Sequence, residues 1–257
     1  LFGAGLWEET EDHQIAICDR FYSWGWSSTE HSKIKPLTGS RLIKAKKFFS
    51  DPMGDILCIV ADIPRYHYRI LSIPMGASKF SKYIDELIVF KNYLSNSVIN
   101  LMKFRLFNPH ISRGWDIKSQ LIDSGLSENN IDSSGGNIYR KINRSRICVT
   151  TANSTTLLET FSSNFPTLIF WNPEHWELRS KAKPYYHKLY QAGILHYSPK
   201  SAAEKLNEIF ENPLVWWQQQ EIQDAKDEFS NVYASVNKSW IKEWKEEIKS
   251  YYETDYI

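Results

Sequence analysis

Six side chains bearing a hydroxyl or an amide fall within seven positions: Thr150, Thr151, Asn153, Ser154, Thr155 and Thr156. A short apolar run, Ile147, Cys148 and Val149, precedes them. Leu157, Leu158 and Phe161 follow at helical spacing, and a second apolar run, residues 166–171, comes next. The pattern reads strand, polar turn, helix, strand. The first amides of a helix have no partner inside it and sit at the positive end of its dipole. With the hydroxyls of Ser154 and Thr155 beside them they form a site for an anion such as a phosphate. Capping alone would occupy one or two of these residues, with Asn153 or Ser154 as the cap or Thr156 and Glu159 as a capping box. The remainder favours a ligand. The turn has no G-x-G-x-x-G and no Walker lysine, so it supports neither a dinucleotide fingerprint nor an NTPase loop.

Other residues could serve the same ligand. Glu159, one turn further on, is placed to accept a hydrogen bond from a ribose hydroxyl; pairing with the helix dipole or with a surface cation is the alternative. Arg105 closes the apolar run that begins at Asn100 and would neutralise a phosphate, and Lys103 has the same parity. Arg65, His67 and Arg69 alternate with Tyr66 and Tyr68. Arg65 is a candidate for a base or sugar contact, and His67 for acid–base chemistry. Glu174 and His175, after the run 167–170, are further candidates for base or sugar contacts. Trp171 and Trp176 beside them either stack on a ligand or belong to the core. Glu174 and His175 have no third residue at metal-ligand spacing, so no metal is expected.

The elements that must position these residues alternate between strand and helix over residues 55–212. That implies an α/β fold, a Rossmann-like parallel sheet with helices on both faces. Strands are expected at 15–18, within 19–26, and at 56–61, 98–107, 147–149, 167–170 and 194–197. Helices are expected at 78–94, 117–124, 138–143 and 178–192, and from Ser198 onward. The polar segment with Pro36 and Gly39 reads as a linker. Residues 214–252 read as charged helices rich in Trp and Tyr. Ligands of such sheets lie outside the carboxyl ends of the strands, here after Ala61, Arg105, Val149 and Phe170.

The chain of 257 residues, 42% hydrophobic, can bury a sizeable core. A formal charge of +1 with mixed signs excludes a global field that would draw nucleic acid, so no nucleic-acid partner is expected. Cys18, Cys58 and Cys148 are far apart and form no CxxC, which suggests reduced thiols in a cytoplasmic protein. No apolar run has the length of a membrane span and no signal peptide is visible. Residue 1 is Leu, and the chain is expected to begin inside a longer protein.

The segments Asp19-Arg-Phe-Tyr-Ser-Trp-Gly-Trp26, Arg146 to Glu159 and Asn164 to Trp171, in that order, resemble a group of bacterial transferases. These are linked to surface-polysaccharide or lipopolysaccharide assembly and are similar to GT-B glycosyltransferases. The resemblance implies two facing Rossmann-like halves, of which this chain carries the C-terminal one. Residues 1–50 would end the N-terminal acceptor domain and its linker. Residues 51–212 would bind the donor, and residues 213–257 would pack back on the domains. The resemblance also implies a metal-independent glycosyltransferase whose substrate is a sugar nucleotide, with no further cofactor and a glycan or lipid-linked acceptor. Peripheral association with the inner face of the membrane goes with such an acceptor. Ser154 to Glu159 would hold the phosphate and ribose, and the base would lie in the acceptor half. Two rival expectations are a sugar-nucleotide epimerase of the same layout and a non-catalytic module whose C-terminal aromatics meet a partner.

Overall fold

The computed structural model of the chain describes residues 2–45, 47–66, 75–107 and 113–255. Helix α1 (Glu9–Ile17) comes first. Its opening turn carries Glu9, Glu11 and Asp12, which suit the positive end of the helix, and its buried residues Glu11 and Ile15 stand four apart on one face. Ile15–Cys18 is therefore not the expected strand: the chain buries a helical face there. Next are β1 (Phe21–Ser23), β2 (Ile34–Pro36) and α2 (Ser40–Ala45). β1 and β2 pair in parallel, Phe21 opposite Ile34, so part of the expected linker is a strand.

The remaining elements are β3 (Asp55–Ile59), α3 (Ala77–Asn92), α4 (Asn96–Leu101), β4 (Met102–Arg105), α5 (Ile117–Asp123), β5 (Ile131–Asp132), α6 (Ile138–Ile142), β6 (Ser145–Thr150), α7 (Thr155–Ser162), β7 (Thr167–Phe170), α8 (Lys183–Gln191), β8 (Leu195–His196), α9 (Pro199–Ile209), α10 (Pro213–Trp217), α11 (Gln220–Tyr233) and α12 (Trp240–Asp255). β3 to β8 form one sheet in the order β5-β4-β3-β6-β7-β8, with every pair parallel. Helices flank it, giving the Rossmann-like α/β fold expected from the alternation. Alternate residues of β3 leave on opposite faces. Ile56 and Cys58 join the main core with α3, whereas Leu57 joins a smaller core with Ala45, Phe48, Ile142, Cys148 and Phe165.

Two expected elements are altered. Residues 98–107 divide into the end of α4 and the strand β4, because Ser95 caps a helix there: its side chain accepts a hydrogen bond from the Val98 amide at 3.3 Å. The helix expected from Leu178 begins at Lys183 with Pro184 in its first turn. Residues 178 and 179 are instead held to the N-terminal segment, Leu178 by a bridge to Gly5 and Arg179 by its amide on the Ala4 carbonyl at 2.9 Å.

The aromatics of α10 and α11 point inward. Trp216, Trp217, Phe229 and Tyr233 are buried. The ring of Phe229 meets Phe161 of α7 at 5.5 Å and Tyr186 of α8 at 5.1 Å. Those side chains are not the partner surface that a non-catalytic module would need. α12 lies against the N-terminal segment. The Trp244 indole donates to the Thr38 carbonyl at 3.0 Å, and Arg20 pairs with Glu247 at 2.5 Å. Among the described residues no helix is long and apolar enough to cross a membrane.

Candidate functional site

β3 and β6 are neighbours at the centre of the sheet, and the chain runs outward from them in opposite directions. Such a reversal of strand order leaves a crevice at the carboxyl ends of the two central strands. Here it is a cavity of about 1040 Å³, at the upper end of the ~300–1,000 Å³ of small-molecule sites. Asp62 and its two predecessors line it from the end of β3, and Ala152 to Thr156 from the turn after β6. The loop before α6 forms a third wall, and the aromatic rings of Phe21, Trp24 and Trp26 form a fourth, from the N-terminal segment.

The rim of the sheet is fixed by a relay of hydrogen bonds. The Ala61 amide donates to the Tyr83 oxygen at 2.7 Å. The Tyr83 hydroxyl lies 2.6 Å from that of Thr151, which itself donates to the Ile59 carbonyl at 2.8 Å. Only one assignment of protons satisfies all three contacts, with Tyr83 donating to Thr151. Tyr83 is buried and its phenol is held far above the ordinary range by desolvation, so it stays neutral. Thr151 thus ties the two central strands together and is not a ligand contact. Thr150, fully buried, has a hydroxyl with no partner among the described residues.

Ser154 is the N-cap of α7, in extended conformation, but its hydroxyl does not cap the helix. That oxygen is buried and has no hydrogen-bond partner among the described residues. A hydroxyl that has lost water without gaining a partner costs about 1–3 kcal/mol, which favours any group that arrives to satisfy it. The Thr155 and Thr156 amides, first and second in the helix, likewise have no partner among the described residues. The capping box of Thr156 and Glu159 does not form, because Thr156 is inside the helix and the Glu159 carboxylate is engaged elsewhere. It accepts from the Tyr139 hydroxyl at 3.0 Å and lies 4.0 Å from Arg41. Burial raises its pKa; the Tyr139 hydrogen bond and the Arg41 charge oppose that shift without cancelling it. Asn153 accepts from the Tyr186 hydroxyl at 2.7 Å, which fixes the turn before the helix.

Arg105 reaches the cavity but is not a free cation. It pairs with Asp132 at 2.7 Å and donates to the Gly136 carbonyl, so it also shapes the loop before α6. Arg105, Asn153, Ser154, Thr155, Thr156 and Glu159 all line the one cavity. Arg65, Glu174 and His175 do not. Arg65 is exposed over the Trp115 ring at 5.3 Å. Glu174 is exposed, its amide bound to Asn172 at 2.9 Å. His175 is buried 3.6 Å from Glu86, and desolvation lowers its pKa. Both residues leave the cavity because the turn after β7 folds toward α3, where Lys79 holds the Glu174 carbonyl at 2.8 Å. Trp176 does line the cavity, while Trp171 is core, packed on Tyr186 at 5.7 Å. His67 lies outside the described residues.

Asp62 is the residue that the sequence reading passed over. It lies three positions beyond the end of β3, at one of the strand carboxyl ends, and that place was its only signal in the sequence. Its Oδ2 faces Arg113 at 3.4 Å and its Oδ1 is buried without a partner among the described residues. Desolvation lifts its pKa to about 6, against the pull of Arg113. Tyr139 and Arg41 had no signal in the sequence, since nothing there sets them beside Glu159.

The fold and the site together define a Rossmann-like α/β protein with a small-molecule cavity at its switch point. The chain belongs to the LIC12162 family transferases, whose family model matches residues 1–248, which makes it a member of a family of group-transfer enzymes. No curated protein matches the chain.

Proposed function

We propose that this transferase is a GT-B-like glycosyltransferase and that the cavity receives the nucleotide part of a sugar-nucleotide donor. The observation that carries the reading is the open start of α7 at the switch point. There the Thr155 and Thr156 amides and the buried Ser154 hydroxyl have no partner among the described residues. A phosphate at that position gains oriented donors at the positive end of a helix. As the bond to the sugar breaks, charge grows on the phosphate, and these preorganised groups stabilise it more than they stabilise the ground state. Arg105, paired with Asp132, shapes the wall of the cavity beside the phosphate, and Glu159 offers an acceptor to a ribose hydroxyl. The aromatic wall from the N-terminal segment gives flat apolar surfaces suited to a sugar or a base. Surface-polysaccharide assembly is the setting that fits such a donor and a glycan or lipid-linked acceptor.

Calorimetric titration of UDP, GDP and CMP sugars tests the reading. One of them is expected to bind, and Ser154→Ala, which removes the hydroxyl, and Thr155→Pro, which removes the first amide at a helical position that tolerates proline, are each expected to weaken it about tenfold, the value of a hydrogen bond to a charged oxygen. Absence of binding by every nucleotide, or substitutions without effect, would rule the reading out. A sugar-nucleotide epimerase is favoured by a different observation, two carboxyl groups with raised pKa, Asp62 and Glu159, in one cavity. Product analysis after incubation with the sugar nucleotide alone separates the two, because epimerisation needs no acceptor.

A further inference from the structure

We propose that Asp62 is the proton-transferring group of the cavity, taking the proton of the acceptor hydroxyl during transfer; this rests on the donor site proposed above. Its position supports that role first. It stands at the end of β3, across the switch point from the start of α7, and both line the same cavity. A donor phosphate at α7 would leave its sugar reaching toward the β3 side. Arg113 lies 3.4 Å from Oδ2 and the Ile63 amide also supports the carboxyl, while Oδ1 has no hydrogen-bond partner among the described residues. The backbone ahead of it is fixed by the Ala61 amide on Tyr83, which limits how far the carboxyl can wander. A pKa of about 6 then suits a base at neutral pH better than that of an ordinary aspartate. Among the described residues the charged and titratable groups around it are Arg113 and Tyr83 nearby, with Glu8, Glu159, Arg41, Arg105, Tyr22, Tyr139 and Tyr233 on the cavity lining.

The step balances without another reactant. The acceptor oxygen, an alcohol or water, forms a bond to the anomeric carbon as its proton passes to Asp62. The bond from that carbon to the phosphate oxygen breaks, and the nucleotide leaves with the electron pair at the α7 start. Asp62 returns its proton to solvent.

The test uses the full chain with UDP, GDP and CMP sugars, following nucleotide release to water and to a simple sugar acceptor across pH 5–8.5. Wild-type turnover is expected to rise as pH passes about 6 and the carboxyl ionises. Asp62→Asn should lower kcat about 100-fold or more and remove that limb, and Asp62→Glu should restore part of the rate. The nucleotide Kd of Asp62→Asn should stay within about threefold of wild type near pH 5, where the wild-type carboxyl is also uncharged. Thermal melting of Asp62→Asn at neutral pH should be no lower than wild type, because an amide replaces a buried charge. Turnover of Asp62→Asn within about tenfold of wild type, an unchanged pH limb, or no wild-type turnover with any donor overturns the assignment. Failure of the donor site itself reads differently: no nucleotide binds, whatever residue occupies position 62.

Discussion

Arg105 and Asp132 meet at 2.7 Å with side chains 11% and 8% exposed, so removing either leaves the other's charge largely buried and short of a partner. Burial works against the Asp132 carboxylate, but Ser134, Arg105 and Lys141 outweigh it and hold its pKa at about 2. Arg105→Ala should destabilise the chain by about 2 kcal/mol, below the ~3–5 of a fully orphaned buried charge because Lys141 and Ser134 remain. The sign of the pH effect follows. A carboxyl with a folded pKa below its ordinary 3.8 adds stability above that value and loses it as pH falls through about 2. In Arg105→Ala the folded pKa rises toward 3.8, so acid unfolding should begin at higher pH, measurable by circular dichroism. At this scale the sequence was partly legible. It supplied Arg105 and the α7 start, because charge and hydroxyl density are local properties. It did not supply Asp132, Tyr139 or Arg41, because each acts on a residue distant in the chain.

The elements converge where β3, β6 and α3 are pinned by Tyr83. Its phenol links the Ala61 amide to Thr151 in a buried relay. Tyr83→Phe leaves the Ala61 amide without a partner and should cost about 1–3 kcal/mol by urea unfolding. Because Ala61 and Asp62 share that end of the strand, the same variant should slow the turnover proposed to depend on Asp62 while changing nucleotide Kd little. Strands and helices from residue 55 to 212 were readable wherever a whole element shared one hydropathy pattern, as in β3, α3 and α7. Residues 98–107 were not, because one apolar run spans a capped helix and a strand. β5 was not either, being two residues long within a polar stretch and held only by pairing to β4.

Across the whole molecule, the N-terminal segment is gripped from the far end of the chain. Trp244 reaches the Thr38 carbonyl, its ring meets Tyr22 at 5.1 Å, and Arg20 pairs with Glu247. Tyr22 and its neighbours face the cavity, so α12 supports one of its walls from behind. Trp244→Ala should therefore speed hydrogen exchange in α12 and in residues 20–38 together, while β3 and β6 keep their protection. Equal exchange in wild type and variant would show that α12 carries no such load. The sequence by itself determined the class of fold and the place where α7 starts, because periodicity, capping chemistry and free helix amides arise within a few consecutive residues. Only the tertiary structure decided which side chains share the cavity, which carboxyls lose their solvent and which cations are already paired. Those properties come from desolvation and proximity between residues that the chain separates by tens to hundreds of positions.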